Sequence, residues 1–397
     1  MLISKKMNRQ RGFSLVELMV AVVIGLIGTV VMFQVFAVSE GQKRSTTSGG
    51  DSQQNGSVAL FTLERDLRNT AHGIRPLITL GRPMYSEFSG AVQDPIIFRP
   101  ILITPGTNSD SVAVTYSTSD GVASEVYILG DWNSNAVPNA QINVASTAGL
   151  TPGDQIAICP NQTANPLEVC VRGEATALLT DGNGGWITLA APPAVYMVGA
   201  NAITPKFNPA GFKPALNARV GADGLILPTT YLGGGDEDVS AAVYNLGPLI
   251  TRTYAIQNGQ LTLNDGTATT EFANGIVSMR AQYGLDTNGD SSVDAWVNPR
   301  GVQANPRASY TPNHPSFLIG SDAQIAASWG MVIAARVAIV VRSDNIEKEV
   351  VESRGYIPLW TNSNGDAAPS YTVPGGDGSH YRYRVFESIV PFRNMIW

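Results

Sequence analysis

The sequence predicts an α+β protein in which a long N-terminal membrane-spanning helix packs on a β-rich globular head carrying one or more inserted β lobes. Three observations predict this. A long apolar run that carries one carboxylate covers Phe13 to Val38. Helical periodicity returns over Ser57–Ala71, where Leu60, Leu63, Leu67 and Ala71 share a face. After Gly73 the chain becomes a series of short β-branched or aromatic segments punctuated by turn residues.

The first element is the apolar run. Its 26 residues span roughly 39 Å as a helix, whereas about 20 residues cross a bilayer and a secretory apolar core has only about 7–15. Lys5, Lys6, Arg9 and Arg11 precede it with no acid among them. That positive flank holds the start of the chain in the cytoplasm and sends the C-terminal bulk outward. Met7 offers a second start, which changes only the length of the flank. Glu17 is the anomaly, because a carboxylate in a membrane helix costs on the order of 2.5–3.5 kcal/mol and calls for a partner or a purpose. Gly25 and Gly28 are small positions that permit close helix packing.

Gly12-Phe13 followed by Ser14-Leu15-Val16-Glu17-Leu18-Met19-Val20-Ala21 resembles the class III signal of type IV pilins and type II secretion pseudopilins. The fold this implies is pilin-like. Residues 1–12 would be a prepilin leader and 13–73 the N-terminal pilin helix region, with 13–38 transmembrane. The resemblance further implies that a prepilin peptidase cuts after Gly12, that the new Phe13 terminus is N-methylated, and that Glu17 pairs with the α-amino group of a neighbouring subunit during assembly. Each residue type suits its part. Gly12 lets an extended backbone lie against a protease. A new α-amino group, with pKa about 7.7–8, stays mostly protonated at neutral pH. Glu17 lies one helical turn from Phe13, on the same face. Gln34 stands where many major pilins carry a helix-breaking proline, which favours a straight helix and argues against the main filament subunit.

From Ser39 the sequence turns polar, and Gly49-Gly50 predicts a hinge or loosened turn. In the helix that follows, Ser57 is placed to cap the start and Gly73 to end it, while Glu64, Arg65, Asp66 and Arg68 crowd the solvent face.

Residues 74–397 form the expected head. Strands are expected at Ile96–Arg99, Ser111–Ser117, Ser124–Leu129, Gln141–Ala145, Gln155–Cys159, Glu168–Arg172, Trp186–Leu189, Leu249–Gln257, Gln260–Leu263, Gly275–Tyr283, Met331–Arg342 and Tyr381–Ile389. Asn258-Gly259 signals a hairpin turn. An insertion of about 139–240 interrupts the head, and its stretch Asn139–Ala191 reads as a small β lobe. Cys159 and Cys170 are the only cysteines, and in an exported domain they read as one disulfide. Ala200–Asp238 is rich in Pro and Gly and reads as irregular. Its glycine run 233–235 is followed by acids, which disfavours a phosphate cradle.

Leu63–Arg68, Gly275–Trp296 and Tyr381–Trp397 resemble the corresponding parts of PilW-type minor pilins, which are related to the GspJ-type pseudopilins. The resemblance implies a minor pilin that helps initiate type IV pilus assembly and is incorporated at or near the tip. Its partners would be other minor pilins, the major pilin and the prepilin peptidase/N-methyltransferase. Its location would be the inner membrane, with the head in the periplasm, and then the pilus surface. Two alternatives are a minor pseudopilin of type II secretion and a tip adhesion module, the second drawing on the long insertion.

Asp286, Asn288, Asp290, Ser292 and Asp294 alternate like the oxygen ligands of a calcium loop. Ser291 replaces the usual sixth-position glycine, and Val297 the twelfth-position glutamate. Calcium is the one cofactor the residues suggest; none is required. A hairpin turn whose acids cap it is the simpler reading. Arg382, Arg384 and Phe386 share one strand face, suited to an ion-paired surface or a partner. Net charge is −6, and about −10 once the four positive leader side chains go, so nucleic acid is not an expected partner. His72, His314 and His380 are isolated and no hydrolase or nucleotide motif occurs, so the chain reads as a non-enzyme.

Overall fold

A computed structural model describes residues 14–74, 83–85, 87–88, 91–92, 96–97, 100–118, 125–133, 140–160, 170–182, 184–190, 195–205, 208, 230–231, 233–234, 240–299, 331–360 and 369–395. Its architecture is a long helix on a β-rich head.

The helix runs without interruption over Leu15–Arg68, 54 residues. Ser14 caps it: the Ser14 hydroxyl accepts from Val16 N–H at 3.3 Å, and Glu17 reaches back to accept from Ser14 N–H at 3.1 Å. The N-terminal part stands clear of the head. Its most apolar window has a mean hydropathy of 2.6 and is wholly unburied, so the helix is long and apolar enough to cross a membrane. Packing on the head begins at Ser48 and continues through Ser52, Gly56, Ala59, Leu63, Asp66 and Leu67. Asn69 closes the helix, donating to the carbonyls of Asp66 and Leu67.

This corrects four expectations. No hinge occurs at Gly49-Gly50, and Ser57 lies inside the helix rather than capping it. Glycine is present for proximity rather than for bending: a β-carbon at position 56 would lie 2.2 Å from the Phe386 ring. Packing against a sheet offsets the roughly 1 kcal/mol that each helical glycine costs. The third correction is Asp66, which is buried instead of solvated. Gly73, with φ +68°, shapes the turn that follows the helix rather than its last residue.

Two antiparallel sheets receive the helix. The first orders Ala295–Val297, Ile276–Leu285, Val332–Arg342 and Tyr383–Pro391. The C-terminal strand follows the helix: Arg384 lies by Gly49, Phe386 by Gly56, and Asn394 beyond it donates to the Thr70 carbonyl at 2.9 Å. The second orders Thr269–Asn274, Gln260–Asn264, Leu249–Gln257, Ser111–Ser117 and Ile101–Thr104. Asn258 and Gly259 both take positive φ and make the expected two-residue hairpin, pairing Gln257 with Gln260. One core joins Ala59, Leu63 and Leu67 of the helix to Met279, Tyr283, Val337 and Ile339 of the first sheet, Phe392 just beyond its last strand, and Val112, Val114 and Tyr254 of the second.

Within the insertion the short strands Tyr196–Val198 and Asn201–Ile203 pair with each other and Thr230–Tyr231 pairs with Trp132–Asn133, while the longer strands divide between two sheets. Ala140–Val144, Ala177–Asp181 and Gly184–Leu189 make one. Gln155–Cys159 and Cys170–Glu174 join a six-stranded sheet with strands from outside this stretch, including Glu125–Tyr127 and Ala242–Gly247. A second core of Ile128, Ile142, Val144, Ile156, Ile158, Val171, Ile187 and Leu189 lies between them. The strands Ala177–Asp181, Ala242–Gly247, Thr269–Asn274 and Ala295–Val297 were not expected. The first is mostly exposed and carries adjacent leucines, and the second is buried on both faces, so neither shows the alternation that marks a strand.

Candidate functional site

Gly12 and Phe13 lie outside the described residues. Glu17 lies within them and faces the start of the helix, where its carboxylate takes the Ser14 N–H. The acid of the apolar run therefore has a local partner at the helix start, next to the residue that would carry a new amino terminus. Gly25 and Gly28 meet nothing within 4 Å, and so remain open to another helix.

Further along, the helix is clamped to the head at two levels. At its base, the Ser45 hydroxyl donates to Glu347 at 3.0 Å, and Arg382 Nε donates to the same carboxylate at 2.8 Å. The Asp344 N–H donates to the Ser48 hydroxyl at 3.1 Å. Glu347 is held below the ordinary carboxylate range, first by Arg382 and then by Ser45, against slight burial. Arg384 donates to the Gln53 side-chain oxygen. Arg382 and Arg384 are thus turned to the helix base, Arg382 ion-paired to Glu347 and Arg384 bonded to a neutral amide.

At the upper level, Asp66 is 1% exposed. Arg252 Nη1 donates to its two oxygens at 3.2 and 3.0 Å, and the Tyr254 hydroxyl donates at 2.5 Å. Burial, followed by the bond to Asp66, pushes the Tyr254 hydroxyl well above its ordinary pKa. Arg252 also stacks 5.7 Å from the Tyr116 ring centre. Sequence reasoning missed this clamp. The available signal was spacing: Ala59, Leu63, Asp66 and Thr70 fall on one helical face, and an acid on an apolar face requires a buried partner.

Cys159 and Cys170 form the expected disulfide, with sulfurs 2.05 Å apart, on neighbouring antiparallel strands. It lies within the insertion, where both cysteines join the main core, far in sequence from the clamps.

The acidic loop is occupied by its own backbone. Asp286 accepts from the N–H groups of Asn288, Gly289 and Asp290 on one oxygen and of Ser291 on the other. Slight burial raises its pKa, but these four donors outweigh it and hold the carboxyl below its ordinary range. Asp294 accepts from Thr287, and the Asn288 amide bridges Asp290 and Asp294. Asp290 accepts from Ser292 N–H at 2.8 Å. Among the described residues no group of three or more His, Cys, Asp or Glu side chains is arranged to hold a metal ion. The five residues that suggest calcium are brought together as a self-capped hairpin turn.

His72 and His380 stand apart, each near a backbone carbonyl, of Ser117 and Glu347 respectively. His314 lies outside the described residues. The described part of the chain assembles clamps between helix and head.

Residues 239–394 match the family model described as Type IV Pilus-assembly protein W. Residues 7–33 match the prokaryotic N-terminal methylation motif. The first match contains Arg252, Tyr254, the acidic loop and the C-terminal strand; the disulfide lies outside it. A type IV-like pilin from Thermus thermophilus aligns over 87% of this chain and 98% of its own length, at 10% identity and a TM-score of 0.28. No curated protein sequence matches the chain.

Proposed function

We propose that this chain, a PilW-type minor pilin by its C-terminal domain and its N-terminal methylation motif, helps initiate type IV pilus assembly and enters the filament at or near the tip. The observation that carries the reading is continuity. One unbroken helix leads from the methylation motif, through a membrane-spanning segment, into the sheet of the PilW-type domain.

In this reading the precursor waits in the inner membrane with its head in the periplasm. Cleavage after Gly12 and methylation of Phe13 leave a protonated amino terminus beside the capping box. Glu17 then exchanges its bond to Ser14 N–H for the amino group of a neighbouring subunit. The head stays fixed to the helix through Asp66 and Glu347, so a pull on the helix moves the whole subunit. The chain acts as a structural part, with other pilins as partners and the prepilin peptidase as its processing enzyme.

Pilus counts in a strain lacking the chain test this. Loss of surface pili, restored by the intact gene and not by Glu17→Ala, supports assembly. Normal pili with lost protein secretion would instead indicate a type II pseudopilin. Normal pili with lost attachment would indicate an adhesion module built on the insertion.

A further inference from the structure

Where the helix first meets the head, a cleft of about 330 Å³ opens between it and the C-terminal strand. Thr46, Gly49, Gly50 and Gln53 form the helix wall, and Arg382 and Arg384 the strand wall. The two arginines differ. Arg382 is neutralised by Glu347 at 2.8 Å. Arg384 has a neutral partner, Gln53, as its one hydrogen-bond partner among the described residues. A guanidinium carries five N–H donors, so most of those on Arg384 remain for an anion. Gly50 meets nothing within 4 Å, so the helix backbone is open to close approach at this level.

The helix also presents a carboxylate at the same height. Arg384 lies beside Gly49 and bonds to Gln53, which centres it on the level of residue 51. Asp51 is exposed and makes no hydrogen bond or ion pair among the described residues. It stands on an outward stripe of exposed residues, Thr47, Asp51, Gln54, Val58 and Phe61. Within one subunit that stripe turns away from the cleft, since residues 50 and 51 are about 100° apart on the helix. Asp51 therefore cannot fill its own Arg384 cleft. A second subunit can fill it. Two copies held in one membrane by the same apolar run rise in register, so Asp51 of one stands level with Arg384 of the other.

We propose that the cleft is a docking site for the helix of a second copy of this chain, with Asp51 of that copy paired to Arg384. The proposal rests on the pilin reading for the shared membrane anchor. The contact is heterologous, cleft to outward stripe, so the pair still offers one free stripe on the copy whose cleft is filled and one free cleft on the other. Burial of Val58 and Phe61, 46% and 68% exposed in the single subunit, extends the contact above the ion pair.

The test uses full-length protein in lipid nanodiscs. Both native cysteines are bonded to each other, so introduced thiols report alone. Thr46→Cys lies on the cleft wall and Thr47→Cys on the stripe. Separately tagged copies of the two variants are mixed, reconstituted and oxidised. The expected product is the mixed 46–47 dimer in excess of the 46–46 and 47–47 dimers. Arg384→Asp should reduce it about threefold or more, the scale of an exposed ion pair. Arg384→Asp combined with Asp51→Arg should restore it, which separates loss of the pair from loss of folding. A predominance of 46–46 dimers, a yield unchanged by Arg384→Asp, or no recovery in the double variant would overturn the proposal. Cleavage after Gly12, scored in the same preparations, reports on the pilin reading independently.

Discussion

Phe386 lies across Gly56 so closely that a β-carbon at position 56 would sit 2.2 Å from Cε2 of its ring and 2.5 and 2.7 Å from the next two ring atoms. The C-terminal strand and the helix meet there through a contact that only glycine permits. Gly56→Ala is expected to destabilise the protein by about 1–3 kcal/mol through overpacking, despite a gain of about 1 kcal/mol in helix propensity. Thermal unfolding in detergent measures it. Phe386→Ala should remove most of the penalty, so the two substitutions should be strongly non-additive. Gly50→Ala, with open space at its β-carbon, should be neutral or stabilising.

The Asp66 clamp is the second target. Replacing Asp66 with Asn leaves Arg252 without its charge partner beneath the helix and weakens the bond from Tyr254. Breaking a buried pair from one side costs about 3–5 kcal/mol; Arg252 is 30% exposed, which places this case near the lower end, at about 3 kcal/mol. Denaturant unfolding should show that loss for Asp66→Asn, and a smaller one for Tyr254→Phe, which removes a single hydroxyl.

The base of the helix should respond to acid. Glu347 is held below its ordinary value of 4.5, by Arg382 first and Ser45 second. A depressed folded value means that the stabilisation is complete above the unfolded value and disappears as pH falls through the folded one. Wild type should therefore melt above Glu347→Gln at neutral pH, and the two should converge below pH 4.5. A constant gap across that range would contradict the clamp.

How much of this was legible in the sequence depended on whether a residue signals alone or through its neighbours. The apolar run, the Asn258-Gly259 hairpin and the two cysteines are local signals, and all three appear as read. Gly49-Gly50 misled because propensity is local, whereas the helix is held straight by a strand more than 300 residues away in sequence. Asp66 has three charged neighbours in sequence and so suggests a solvated residue, yet its partners Arg252 and Tyr254 come from a distant strand. The alternating acids of residues 286–294 were legible as a pattern. Their use depends on backbone N–H groups, which every residue carries and no sequence displays.

That loop gives a fourth measurement. Asp286 already accepts from four backbone donors, which leaves its carboxylate few lone pairs for an ion. Millimolar calcium and magnesium should therefore shift the melting temperature equally little, while Asp286→Ala should lower it by releasing those donors. A rise specific to calcium and lost in Asp290→Ala would show that the loop opens around an ion.

The most direct test of the account is the mature N-terminus of membrane-extracted protein, read by mass spectrometry. The account predicts a chain that begins at Phe13, carries one added methyl group on its α-amino nitrogen and lacks residues 1–12, with Glu17→Ala cut at the same bond. A chain that retains its leader, or that begins at a different residue within or beyond the apolar run, would contradict it.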